Sequence, residues 1–338
     1  MRKKWVYRKE RFLECSLLYR KKVDWYRAEQ NEKQIKAIKT SVGGQALMEG
    51  IMMKGPLKSA MAVRKPDGSI DLEVWDTKRP HGAGRIPFIR GIFNFIDTML
   101  QGYKCLMRSA EISGGEEEPT KFEIWLNKKF GTKASTVFNA VVTVIAAVLC
   151  VGLFIALPSF ITSLFSVHIK SRFALSAIEG LIKMAIFLAY IIGVSKLSEI
   201  RRTFMYHGAE HKTIFCYEKG LDLTVENVRK QIRFHPRCGT SFLLIVVILS
   251  IFAGSLMTWD SVPLRMLTKL LTIPVVVSLS YELIKFAGRH DNWLTKIISA
   301  PGLWLQRFTT QEPDDDMIEV AIAAVTPVLP ENREEDRW

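Results

Sequence analysis

Residues 137–164 and 241–259 contain no charged side chain, and two further runs, 173–197 and 264–287, carry only a few. Each is long enough for the ~20 residues that cross a ~30 Å hydrocarbon core. The pattern predicts a mainly α-helical chain, a polytopic helical membrane bundle of four spans. A soluble core of four buried helices is the alternative, and charge-free runs of this length argue against it. Composition agrees. Apolar residues make up 48% of the 338 residues while 24% remain charged. That combination requires very apolar stretches beside very polar ones, and it excludes a disordered or fibrous chain.

Where the runs do carry charge, its placement is informative. Glu179 and Lys183 stand four apart on one helical face and are expected to pair inside the bundle. Lys269, Glu282 and Lys285 lie near the ends of the last run, where snorkelling is easy. Lys and Arg concentrate before the first run (Lys121, Lys128, Lys129, Lys133) and between the second and third (Arg201 to Arg237). The short connections hold only Lys170 and Arg172, or Arg265. The net charge of +13 is then mostly a positive-inside signature. It places both termini in the cytoplasm and makes this a multi-pass protein of the cytoplasmic membrane. The expected partners are the bilayer itself and anionic lipid at the basic cytoplasmic loops. No nucleic acid is expected, since no reader motif accompanies the charge. The five cysteines, Cys15, Cys105, Cys150, Cys216 and Cys238, form no close pair, which fits a reducing compartment for the polar parts.

The polar parts divide as follows. Residues 1–40 form a basic extension with thirteen Lys or Arg against five acids and no signal-peptide core. It reads either as an amphipathic helix on an anionic membrane surface or as a solvated tail. Residues 41–115 read as a small cytoplasmic α+β module. It opens with a Gly- and Met-rich run, 43–56. Two alternating segments, 59–64 and 69–75, then flank the turn Lys65-Pro66-Asp67-Gly68, a hairpin signal with Ile70, Leu72 and Val74 on one face. The stretch 86–107, apolar but interrupted by Arg90, Asp97 and Lys104, reads as an amphipathic helix against protein or the membrane interface. Residues 116–136 are a linker and 137–311 the membrane domain, with a His-rich cytoplasmic loop at 198–239. The acidic end, 312–338, with nine acids and two arginines, reads as a flexible tail.

Three of the six histidines fall in the central loop. His207-Gly208-Ala209-Glu210-His211 has the H-x-x-E-H spacing of an inverted zincin. There two histidines four apart bind a metal, and the Glu beside them acts on water. On a helix the two rings lie 40° apart, Glu218 falls between them in azimuth, and Glu210 flanks the stripe. His235 and Cys238 follow as further donors. The expected ligand set is therefore His207 and His211, with His235, Cys238 or Glu218 completing it around a divalent metal, zinc by donor type, and Glu210 as the base. A polar network tying the loop to the bundle ends is the alternative. The 43–56 run lacks the ending of a Walker A motif and the order of a dinucleotide site, so its glycines serve turns or close packing. Gln45 and Glu49, four apart among apolar neighbours, are either satisfied core residues or part of a site facing the histidines.

The segments 43–56, 206–218, 223–228, 235–242 and 301–306 together resemble the YqhQ-like family of bacterial membrane proteins, over roughly residues 41 to 325. The resemblance implies a metal-dependent enzyme, and His207, Glu210, His211, His235 and Cys238 match its motifs position by position. Three functions compete: a metal-dependent enzyme, hydrolytic in type; a non-enzymatic scaffold or assembly factor with a structural histidine cluster; and a transporter, for which Glu179 and Lys183 are the only support.

Overall fold

The computed structural model describes residues 39–77, 86–114, 134–256, 262–290 and 292–330, together with Trp125, Lys128 and Asp336. The basic extension up to residue 38, His81 and most of the 116–136 linker lie outside the described residues.

Four strands, β1 (Gly43–Leu47), β2 (Gly50–Lys54), β3 (Lys58–Arg64) and β4 (Ile70–Asp76), form an antiparallel sheet in chain order. The expected hairpin is β3–β4, with Ala62 opposite Leu72 and Ala60 opposite Val74. Its turn is fixed by Gly68 at φ 82 and by the Asp67 carboxylate accepting from the Ser69 N–H at 2.9 Å. The glycine-rich run proves to be a second hairpin, β1–β2, with Leu47 opposite Gly50 and Glu49 at φ 49 in the two-residue turn. β2 and β3 read as continuous apolar runs because both sheet faces are covered. Ile51, Met53, Ala60 and Ala62 share one core with Tyr206, Ala209, Met317 and Ile318. Leu47, Met52, Met61 and Val63 share the other with Cys105 and Ile112.

Cys105 and Ile112 belong to helix α1 (Ile89–Ile112). The apolar helices follow. α2 (Ala134–Val151) runs through a π-helical turn at Gly152–Ala156 into α3 (Leu157–Phe165). Pro158 explains the wide turn, since it has no N–H to give to a carbonyl one turn back. Next come α4 (Arg172–Val194), α5 (Ser198–Glu218), α6 (Val225–Arg229), α7 (Gly239–Ser255), α8 (Val262–Arg289), α9 (Trp293–Thr309) and α10 (Asp315–Val325). Among the described residues, three helices are long and apolar enough to cross a membrane: Ala140–Phe165, Phe173–Val194 and Met266–Arg289. The third apolar run of the sequence appears as α7, whose 17 described residues span about 25 Å at 1.5 Å each, short of a full core.

Two expectations change. Lys269 does not snorkel. It turns inward to the Glu179 carboxylate, which also accepts from Ser159 Oγ at 2.9 Å, while Lys183 reaches Ser250 Oγ at 3.4 Å. The acidic end is not a free tail either. Asp314, Asp315 and Asp316 gather at the start of α10, where they face the positive end of the helix dipole. Met317, Ile318, Val320, Ala321, Ala324 and Val325 behind them are buried against the sheet and α5. Asp336 accepts from Thr40 Oγ1 at 2.6 Å and from the Ser41 N–H at 2.9 Å.

Candidate metal centre

α5 carries the H-x-x-E-H residues on one regular helix, so His207 and His211 stack one turn apart with ring centroids 4.4 Å from each other. The helix is pressed against the segment after α9. A Cβ on Gly208 would stand 2.0 Å from the Gln311 carbonyl oxygen, so only glycine permits that approach. The approach delivers two anchors. The Gln311 N–H donates to the Phe204 carbonyl at 2.8 Å, and the Thr309 carbonyl meets His207 Nδ1 at 2.8 Å. His211 Nδ1 is taken by the Arg233 carbonyl at 2.5 Å. With a carbonyl on each Nδ1, both rings carry a proton there and turn Nε2 toward the same side.

Cys238 supplies the third donor. It is the N-cap of α7, where its Sγ accepts from the Thr240 N–H at 3.5 Å and sits 3.1 Å from His207 Nε2. Its position is set from behind by Gln306 of α9, wholly buried. The Gln306 side chain accepts the His235 N–H at 2.7 Å and donates to the His235 carbonyl at 2.8 Å. Donor atoms of His207, His211 and Cys238 all lie within 4.8 Å of one another. Burial alone would raise the Cys238 thiol, but the two histidines beside it hold it well below its ordinary value. Burial likewise opposes charge on His207, yet the Cys238 sulfur lifts its pKa to about 9.

Glu210 lies at the edge of this set. Its Oε1 accepts from the Gly44 N–H of β1 at 3.0 Å, and burial keeps its carboxyl above the usual range against the pull of the two histidines. Its Oε2 is buried and has no hydrogen-bond partner among the described residues, and the same holds for His211 Nε2. A buried polar atom left without a partner is unfavourable by about 1–3 kcal/mol. One such atom among the three converging donors and one beside them suit the binding of a cation. Two imidazole nitrogens and a thiolate suit zinc or a similar borderline-soft divalent ion.

His235 and Glu218 do not join these donors. Glu218 accepts from Arg237 and from the Thr40 N–H at 2.8 Å, and His235 Nε2 lies 3.6 Å from the same carboxylate. Burial pushes His235 below its ordinary pKa, so it stays neutral there. The helical azimuth of Glu218 was right. Eleven residues, however, are three turns, about 16 Å along the axis, so it sits at the far end of α5 from His207. Glu49 is likewise a tie and not a ligand. Arg202 grips it at 2.5 and 2.6 Å, with Tyr206 Oη at 3.2 Å, fastening the β1–β2 turn to α5. Gln45 packs against α1, where a Cβ on Gly102 would touch its side chain. The sequence reading missed Gly44, Gln306 and the carbonyls of Thr309 and Arg233. Gly44 and Gln306 stand inside motifs that the sequence marks, whereas a backbone carbonyl has no side-chain signature.

A family model described as "Protein of unknown function (DUF1385)" matches residues 86–331. The chain is 38% identical to "Uncharacterized protein YqhQ" of Bacillus subtilis (strain 168) over 296 residues, 85% of this chain and 92% of that one. No solved structure matches.

Proposed function

We propose that the chain, which belongs to the DUF1385 family, is a multi-pass protein of the cytoplasmic membrane that holds one divalent metal ion at its cytosolic face and uses it for hydrolysis. The observation that carries the reading is the convergence of His207, His211 and Cys238, with donor atoms within 4.8 Å of one another, together with two buried atoms that have no hydrogen-bond partner among the described residues: Nε2 of His211 within the set and Oε2 of Glu210 beside it. His207, His211 and Cys238 are the ligands. Three protein donors leave a position for water or substrate, the arrangement of catalytic and not of structural zinc. A zinc ion there supplies a Lewis acid that makes water a stronger proton donor. Glu210, held by the Gly44 N–H, takes that proton at its Oε2. The Thr309 and Arg233 carbonyls keep both rings in the required tautomer.

Four spans are the membrane arrangement that keeps both basic flanks and the histidine helix on one side. α7 serves as the third span, and Lys and Arg on the cytosolic side meet anionic lipid.

The test is metal content with complementation of a deletion strain. His207→Ala, His211→Ala and Cys238→Ser are expected to lose the metal and fail to complement. Glu210→Gln is expected to keep the metal and fail. If Glu210→Gln complements fully while the ligand variants fail, the metal is structural and the chain a scaffold. If all four complement, no metal chemistry occurs there.

A further inference from the structure

Helix α1 is amphipathic in the inverse sense for a surface helix of a globular protein. Its buried residues are the small ones, Gly91, Gly102, Cys105 and Ser109. Seven large apolar side chains, Ile89, Phe93, Ile96, Met99, Leu100, Tyr103 and Leu106, are exposed, with Phe93 at 52% and Leu100 at 59%. At 100° per residue the exposed positions fall within a stripe about 140° wide, and the four small ones cluster on the opposite side. The small side is fully used by protein. Gly91 lies against Ser278 and Tyr281 of α8, where a Cβ would come within 2.9 Å of the Ser278 backbone. Arg90 pairs with Glu282, Asn94 donates to Tyr281 Oη at 2.9 Å, and Gly102 and Cys105 rest on the sheet. The helix cannot roll its apolar side inward without breaking these contacts.

We infer that α1 is an in-plane membrane helix whose occupant is the acyl-chain region of the cytosolic leaflet. Two observations favour lipid over protein. First, the exposed stripe continues onto a lipid-type surface. α1 packs along the end of α8, a span whose own Leu267, Leu271, Val275 and Leu279 are exposed. It also meets α7 through Phe95 and Phe242, ring centroids 5.9 Å apart. Second, α9 repeats the pattern on the same end of the bundle. It follows the last span directly, exposes Trp293, Leu294, Ile297 and Trp304, and lays Gly302 against Ser241 of α7. Exposed tryptophan and aliphatic side chains on a helix parallel to the surface are what an interface takes up. The consequence concerns depth. Phe242, which α1 touches, is one turn of α7 from Cys238, about 6 Å along the axis. The cysteine of the metal centre therefore sits at headgroup level. The word cytosolic rests on the topology proposed above; the contact with lipid does not.

The test uses the full-length chain in phospholipid nanodiscs, with benzoylphenylalanine placed singly at positions 93, 96 and 100, and at 315 on the exposed start of α10 as the aqueous control. After irradiation, mass spectrometry is expected to find lipid adducts at 93, 96 and 100 several-fold above those at 315. Adducts to a second copy would make α1 a dimer interface, and adducts to residues 1–38 of the same chain would make it a seat for the basic extension. Either result overturns the inference, as does reaction no greater than at 315. Lipid adducts with α1 found on the outer side would leave the inference standing and sink only the topology. Metal content measured on the same samples reports that reading separately.

Discussion

The His235 peptide decides where Cys238 goes, because the Gln306 side chain accepts its N–H at 2.7 Å and donates to its carbonyl at 2.8 Å. Replacing Gln306 by Met keeps the shape and removes both bonds. The His235 N–H then stays buried without an acceptor, unfavourable by about 1–3 kcal/mol. The loop bearing Cys238 loses its register as well. Gln306→Met is expected to lower the unfolding temperature and the bound metal together, measured by thermal scanning and metal analysis. A drop in stability with full metal occupancy would show that the loop is set by other contacts. Glu49 makes a prediction of pH dependence. Its hydrogen bonds from Arg202 hold its carboxyl below the ordinary value of 4.5, against the opposing effect of burial. A carboxylate with a depressed folded pKa adds stability that is full above its unfolded pKa and disappears as pH falls through the folded one. Glu49→Gln is therefore expected to be less stable than the parent at pH 7, with the gap closing as pH drops below 4.5. A gap independent of pH would assign the loss to packing. At this scale the sequence was informative about donors and silent about their supports. His207, His211 and Cys238, which the fold brings together, were legible because donor motifs restrict residue type and spacing. Thr309 and Arg233 were not, since any residue can lend a carbonyl.

At the scale of elements, net charge misled where periodicity would not have. Counting acids after residue 312 suggested a free end, yet 317–325 reads Met-Ile-Glu-Val-Ala-Ile-Ala-Ala-Val and becomes α10, the lid of the larger core. Ile318 and Val320 are wholly buried beside Met53 and Ala60. Truncation after Gln311 is expected to unfold the sheet-containing module, and Ile318→Ala to weaken it by about 2–5 kcal/mol. Pulse proteolysis of the β1–β4 region distinguishes the outcomes: a truncated chain that resists protease as well as the parent would restore the free-tail reading. The hairpins behaved in the opposite way. Pro66-Asp67-Gly68 declared the β3–β4 turn openly. The β1–β2 turn, Met48-Glu49, lacks a glycine at its positive φ and is held from outside by Arg202. The β1–β2 turn therefore depends on a tertiary contact that local reading cannot supply.

At the scale of the whole molecule, one helix joins the apolar helices to the sheet core. α5, separated from α4 by three residues, runs through the larger core with Tyr206 and Ala209 and carries the histidines to where α7 and α9 meet it. The apolar runs were the most legible feature, because lipid restricts composition over ~20 residues at a time. The sheet-containing module was the least legible, because its core is assembled from 42–74, 205–228 and 317–329, three stretches far apart in the chain. This arrangement makes topology decisive. With α4 crossing between them, the proposed topology puts His168, between α3 and α4, outside and Lys219, at the end of α5, inside, and both side chains are exposed. His168→Cys and Lys219→Cys are each compared with the parent chain in intact cells, using a membrane-impermeant maleimide, so that the native cysteines cancel. Labelling is expected to rise for position 168 only, and for both after the membrane is opened. A rise at 219 in intact cells would put the histidine helix outside. The Lys and Arg that flank it would then lie against the positive-inside bias, and the metal centre would face the wrong compartment for a free cysteine ligand.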